Sequence, residues 1–149
     1  MPKFVFRLQP VLGIKQKVED LKKDEFGKAV SALAAARQKK IDMENEKEGC
    51  VMGLRTSIVK GVRPEDIRQH NQYIDKLKHM IKRQEQVIIQ AEAYVEEKRA
   101  ELVEAMRDRK TLETLKDNNY QEYLTEEKKA EQQIVDEIVS YRGSKKKAE

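Results

Sequence analysis

Two residue types that break helices are almost missing from this chain, and where they do occur limits what it can fold into. Gly61 and Pro64 frame one short break, Gly61-Val62-Arg63-Pro64. From Glu65 to Arg142 there is neither a glycine nor a proline. Between Pro10 and Lys60 only Gly13, Gly27, Gly49 and Gly53 interrupt. A sheet or a compact bundle needs many turns, and turns draw on these residues. The pattern predicts an all-α fold: a long two-helix antiparallel coiled-coil hairpin. Helix one covers about 10–60, the turn 61–64 and helix two about 65–142. Residues 143–149 read as a disordered basic tail around Lys145-Lys146-Lys147.

Composition supports helices over a globule. Charged residues are 39% of the chain, aromatics 5%, and there is no tryptophan. Such a balance with apolar residues at helical spacing is that of a coiled coil or long helix. The net charge of +4 is mild and its signs are interspersed, as on a solvated helix surface rather than a nucleic-acid stripe. A single cysteine, Cys50, excludes an intramolecular disulfide. No apolar run approaches the roughly 20 residues of a membrane span, and no apolar stretch follows Met1-Pro2-Lys3 as a secretory leader requires. A soluble, cytoplasmic protein is expected.

The turn is locally specified. Gly61 suits the left-handed position just past a helix end. Pro64 suits the first position of the next helix, where its missing N–H costs nothing. Glu65 and Asp66 place negative charge at the positive end of that helix's dipole.

Apolar spacing then gives seams. In helix one, Val11, Ile14, Val18 and Leu21 step by 3, 4 and 3, as heptads do. The line is expected to continue through Phe26, Val30 and Leu33, meet a polar stretch at Arg37, Lys40, Glu44 and Lys47, and resume at Val51, Leu54 and Ile58. In helix two, Ile67, Ile74, Leu77, Ile81, Ile88, Ala91, Val95, Leu102, Ala105 and Leu112 keep the heptad, with a register shift expected near Asn118-Asn119.

The two helices are unequal. At 1.5 Å per residue they would span about 75 Å and about 115 Å. Folding back at the turn sets Leu8 opposite residue 117. The segment from Asn118 to Arg142 is then a C-terminal helix overhang with no partner of its own. It still carries Tyr120, Tyr123, Leu124, Ile134, Val135 and Ile138, and an apolar stripe without cover points to a binding partner.

Catalytic chemistry is not legible. His70 and His79 form i,i+4 pairs with Asp66 and Asp75, which is ordinary helix-surface pairing. No phosphate-binding loop or nucleophile motif occurs, and a two-helix hairpin makes no deep pocket. No catalytic residue, metal site or cofactor is assigned.

The opening Phe4-x-Phe6-Arg7-Leu8-Gln9-x-Val11-Leu12, with Glu19 after it, resembles the start of the flagellar export protein FliJ family. Tyr73-x-x-x-Leu77 is similar to the family's aromatic-x-x-x-Leu stretch. Val95-Glu96-x-x-Arg99-x-x-Leu102, Ala105 and Arg109-Lys110-x-x-Glu113-x-Leu115 follow its course. Glu131-Gln132, Asp136-Glu137 and Arg142 are similar to its ending. The polar stretch at Arg37–Lys47 departs from it.

The resemblance implies an antiparallel coiled coil similar to the central stalk of rotary ATPases. Its partners would be the hexameric flagellar export ATPase, the export gate protein FlhA and export chaperones that have released their cargo. It would sit at the cytoplasmic face of the flagellar basal body and reach the membrane only through partners. On this reading the ATPase-facing end comprises Phe4, Phe6, Arg7, Leu8, Gln133, Ile134, Asp136, Glu137 and Arg142. Tyr73, Leu77, Met80 and Ile81, near the turn, would contact the gate or a chaperone, or else merely widen the seam. A passive coiled-coil spacer is the alternative of another class.

Overall fold

The computed structural model describes residues 3–148. Among them are two helices and no strand: α1, Gln9–Lys60, and α2, Pro64–Ala148. They form an antiparallel helical hairpin. The turn uses the chemistry read from the sequence. Gly61 has φ 84° and is the only described residue with φ in the left-handed region. Its N–H donates to the Ile58 carbonyl at 3.2 Å, and Pro64 opens α2. At the other end, the Gln9 N–H donates to the Phe6 carbonyl at 3.1 Å and starts α1.

The chain divides into two compact units, residues 20–104 and residues 1–19 with 105–149. In the first, Lys22 pairs with Glu101, Arg37 with Glu92 and Lys40 with Glu85. Ascending numbers on α1 meet descending numbers on α2, so the pairing is antiparallel. Ala29, Leu33 and Val95 form its buried cluster, with Phe26, Ile88 and Ala91 packed against them. The ten apolar positions expected to line α2 are all buried or half-buried. Polar members share that line. Buried Gln84 donates its amide to the Ala36 carbonyl at 2.9 Å, which meets the cost of desolvating it.

Along α1 the covered line keeps Phe26, Leu33 and Leu54 as read from the sequence, but its first four positions are displaced by one residue. The covered line is Leu12, Lys15, Glu19, Lys22, Phe26, Ala29, Leu33, Ala36, Lys40, Met43, Lys47, Cys50 and Leu54, in steps of 3 and 4 throughout. Val11, Ile14, Val18, Leu21, Val30 and Ile58 are exposed, Ile14 at 60% and Leu21 at 63%. In the middle of α1, Ala36 and Met43 take the places expected for Arg37 and Glu44, so that stretch is less polar inside than the sequence suggested.

In the second unit, Leu12 and Ala105 are buried. Glu19, 3% exposed, forms an ion pair with Arg109, which also donates to Glu113 at 2.6 Å. Burying a carboxylate without such a partner would be costly. The stretch before α1 lies along α2. Phe4 contacts Tyr120 edge-on at 5.2 Å and Tyr123 at 5.6 Å, and Phe6 is buried. Covered positions continue through Lys116, Asn119, Tyr123 and Glu127 without the register shift expected at Asn118-Asn119. The uncovered part of α2 therefore starts after Glu127, ten residues later than read from the sequence. The helix runs through Gly143 and the lysines to Ala148, where a disordered tail was expected. Helix formers on both sides of Gly143 outweigh its cost of about 1 kcal/mol. Lys145, Lys146 and Lys147 in the last turn face the negative end of the helix dipole.

Candidate functional site

From Lys128 to Lys147 every residue is exposed. Within that stretch Ile134, Ile138 and Tyr141 step by 4 and 3 and prolong the line that α2 uses to pack upstream. Val135 and Val139 widen the apolar face. Gln133, Glu137 and Arg142 flank it, whereas Asp136, two residues from both Ile134 and Ile138, lies on the opposite face and accepts a hydrogen bond from Gln132 at 3.0 Å. The chemistry available is adhesion: an apolar stripe for burial, and charges at its margin for orientation.

Of the residues expected to share this end, Arg7 and Leu8 are exposed. Phe6 is 5% exposed and Phe4 is half-buried among tyrosines, so these two hold the N-terminal stretch to α2 rather than present a surface. Tyr123 is braced in turn by donating to Glu127 at 2.8 Å, which raises its pKa above the usual tyrosine value, with burial adding to the shift. The sequence signal for this cluster is the aromatic pair Tyr120 and Tyr123, which the comparison of helix lengths puts in the free overhang.

Near the turn the four expected residues separate. Leu77, 2% exposed, and Ile81 lie in the hairpin's own seam. Met80 is half-buried and Tyr73 exposed. The Tyr73 hydroxyl donates to Glu46, and this bond to a carboxylate is the main cause that raises its pKa. An open groove beside it is lined by Cys50, Val62, Asp66 and His70. Among the described residues no group of three metal-ligating side chains comes together, and no helix is long and apolar enough to cross a membrane.

Sequence reasoning missed a charge lattice inside the 20–104 unit. Lys22 and Lys98 both donate to Glu101 at 3.2 Å, and both also reach Glu25. These bonds hold the Glu101 carboxyl below the usual range and push both ammonium groups up. The signal was present as charged residues at heptad positions, but their partners lie far off in sequence.

A hairpin of two long helices, ending in a helix with an uncovered apolar stripe, defines a coiled-coil protein. The chain belongs to the flagellar FliJ protein family, whose profile matches residues 4–148. It is similar to the flagellar FliJ protein of Bacillus subtilis, strain 168, at 22% identity over 135 residues, 91% of this chain and 92% of that protein. Its fold is similar to that of CT670 from Chlamydia trachomatis, a proposed YscO homolog. The TM-score is 0.67 at 19% identity, with 99% of each chain covered.

Proposed function

We propose that this protein is a component of the flagellar type III export apparatus, and that the bare end of α2 binds and stimulates the hexameric export ATPase as a central stalk would. The observation that carries the reading is the exposed stripe Ile134, Val135, Ile138 and Val139 on a helix whose upstream part is fully paired. Gln133, Asp136, Glu137 and Arg142 would fix the helix rotation inside the ring, and Arg7 and Leu8 would meet its rim. Family membership supports the choice of partner.

The opposite end of the same reading is coupling to the export gate protein FlhA and escort of unladen chaperones. Tyr73 and Met80 are the residues there with surface to offer, whereas Leu77 and Ile81 act by holding the helices beneath them.

The test is ATP hydrolysis by the cognate export ATPase, titrated with this protein. The expected result is a saturating rise in rate, abolished by truncation after Glu127 and by Ile134→Asp with Ile138→Asp. No rise at any ratio would transfer the reading to a passive spacer.

A further inference from the structure

The first turns of α1 offer α2 the less apolar of two faces. The covered line is Leu12, Lys15, Glu19 and Lys22, and its three charged members each have a partner on α2: Asp108, Arg109 and Glu101. One residue back run Val11, Ile14, Val18 and Leu21, all apolar and all exposed. Both lines step by 3, 4 and 3. They differ in how they meet Phe26, where the apolar seam begins: Lys22 is four residues before it and Leu21 five. A step of five exceeds heptad spacing by one residue, and a helix absorbs one extra residue as a π-bulge, a single turn with i→i+5 bonding. Such a bulge turns everything before it by one residue's rotation, about 100°. We infer that α1 has two registers against α2: the one described, and a second in which a one-residue bulge between Leu21 and Phe26 sets Val11, Ile14, Val18 and Leu21 in the places of Leu12, Lys15, Glu19 and Lys22.

α2 can receive either face. Opposite these turns its covered line holds Leu102, Ala105 and Leu112, so the second register sets apolar side chains against apolar ones. Arg109 lies on the same line, and on losing Glu19 it keeps its bond to Glu113 on its own helix. Exchanging buried ion pairs for apolar packing is often neutral or stabilising, so only a small difference in free energy separates the registers. Two features hold the described one. It needs no bulge, and Phe4, packed on Tyr120 and Tyr123, ties the stretch before α1 to α2.

The bulge also has a place prepared for it. Gly27 ends the turn that would widen, and a Cβ there would meet nothing within 4 Å, so no close packing calls for a glycine. A glycine lowers the cost of leaving α geometry. The device acts on the surface of the hairpin. In the described register α1 shows its apolar stripe to solvent. In the second that stripe is buried, and Lys15, Glu19 and Lys22 turn toward solvent. A ligand that prefers one register therefore switches this stretch between an adhesive and a charged exterior.

Deleting Asp24 tests whether α2 accepts the second register. Asp24 is exposed, and its partner Lys28 lies on the same helix surface. Its loss brings Leu21 to four residues before Phe26, which imposes the second register without a bulge. The variant should stay helical by circular dichroism and melt close to the full chain or above it. Deletion of exposed Lys39 is the control: it turns Phe26, Ala29 and Leu33 off α2 and should lower the melting temperature by roughly 10 °C or more. Thiol labelling in dilute solution reads the switch in the full-length chain, with Cys50→Ser as background. Val18→Cys should react as an exposed thiol. Adding Glu19→Gln, which removes the charge that Arg109 holds, should slow it by roughly tenfold or more, while Gln16→Cys, exposed in both registers, keeps its rate. An Asp24 deletion that melts as low as the Lys39 deletion would overturn the two-register inference. So would a Val18→Cys thiol that labels equally fast with and without Glu19→Gln. Neither arm involves the ATPase, so failure here leaves the proposed stimulation standing.

Discussion

Two stretches of the hairpin solve helix pairing in opposite ways. Around Ala29, Leu33 and Val95 the apolar residues point inward. Around Lys15, Glu19 and Arg109 the inward residues are charged and paired, while Val11, Ile14 and Val18 point outward. The first stretch is held by burial, which tolerates small shifts. The second is held by ion pairs, which fix partners one by one and cost most when one member is lost. An apolar stripe on a helix is thus not proof of its inner face; the inner face is the one whose groups find partners.

The comparison breaks most visibly if inner and outer positions are exchanged in experiment. The largest effect is expected at Leu77, the most deeply buried large side chain. Leu77→Ala should cost about 3 kcal/mol of stability, seen as a lower midpoint in thermal or urea unfolding. Next comes Glu19→Ala, which leaves Arg109 without its buried carboxylate. It should lower the melting temperature by less than Leu77→Ala and by more than Glu96→Ala at the exposed surface pair with Arg99.

A smaller, graded effect belongs to the lattice of Lys22, Glu25, Lys98 and Glu101. The Glu101 carboxyl is lowered, first by its bond from Lys98, so its contribution is complete above the ordinary glutamate value and is lost as pH falls through the lowered one. The two lysines are raised, first by Glu101, so theirs is complete below the ordinary lysine value and is lost as pH climbs through the raised one. Melting temperature followed from acid to alkaline pH should show a plateau between about 5 and 10, falling at both ends. It should also fall modestly with added salt, because these groups are partly exposed.

The smallest effect is expected on the outer face. Ile14→Ala, in dilute solution, should change stability by no more than about 0.5 kcal/mol. A loss near that of Leu77→Ala would show that the register of α1 is the one suggested by its apolar residues. Ile134→Asp should be equally silent in unfolding, and should act only on ATPase stimulation.

The sequence by itself determined the helices, the turn and the seam of α2. Scarce breakers leave no alternative to two long helices, Gly61 and Pro64 specify their junction, and α2 has a single strong apolar line, so its burial follows. It also exposed the bare end as an apolar stripe beyond the length that α1 can cover. The tertiary structure decided the register of the first part of α1, because Val11, Ile14, Val18 and Leu21 form a stripe one residue from the covered Leu12, Lys15, Glu19 and Lys22. Choosing between them requires knowing that Lys22 meets Glu101, 79 residues away, and that Glu19 meets Arg109. It also decided that Phe4 and Phe6 close over Tyr120 and Tyr123, which trims the free end to the residues after Glu127. Apolar periodicity is a property of one helix and is legible along it. Charge pairing and aromatic cover are properties of two segments, and only folding brings the second segment into place.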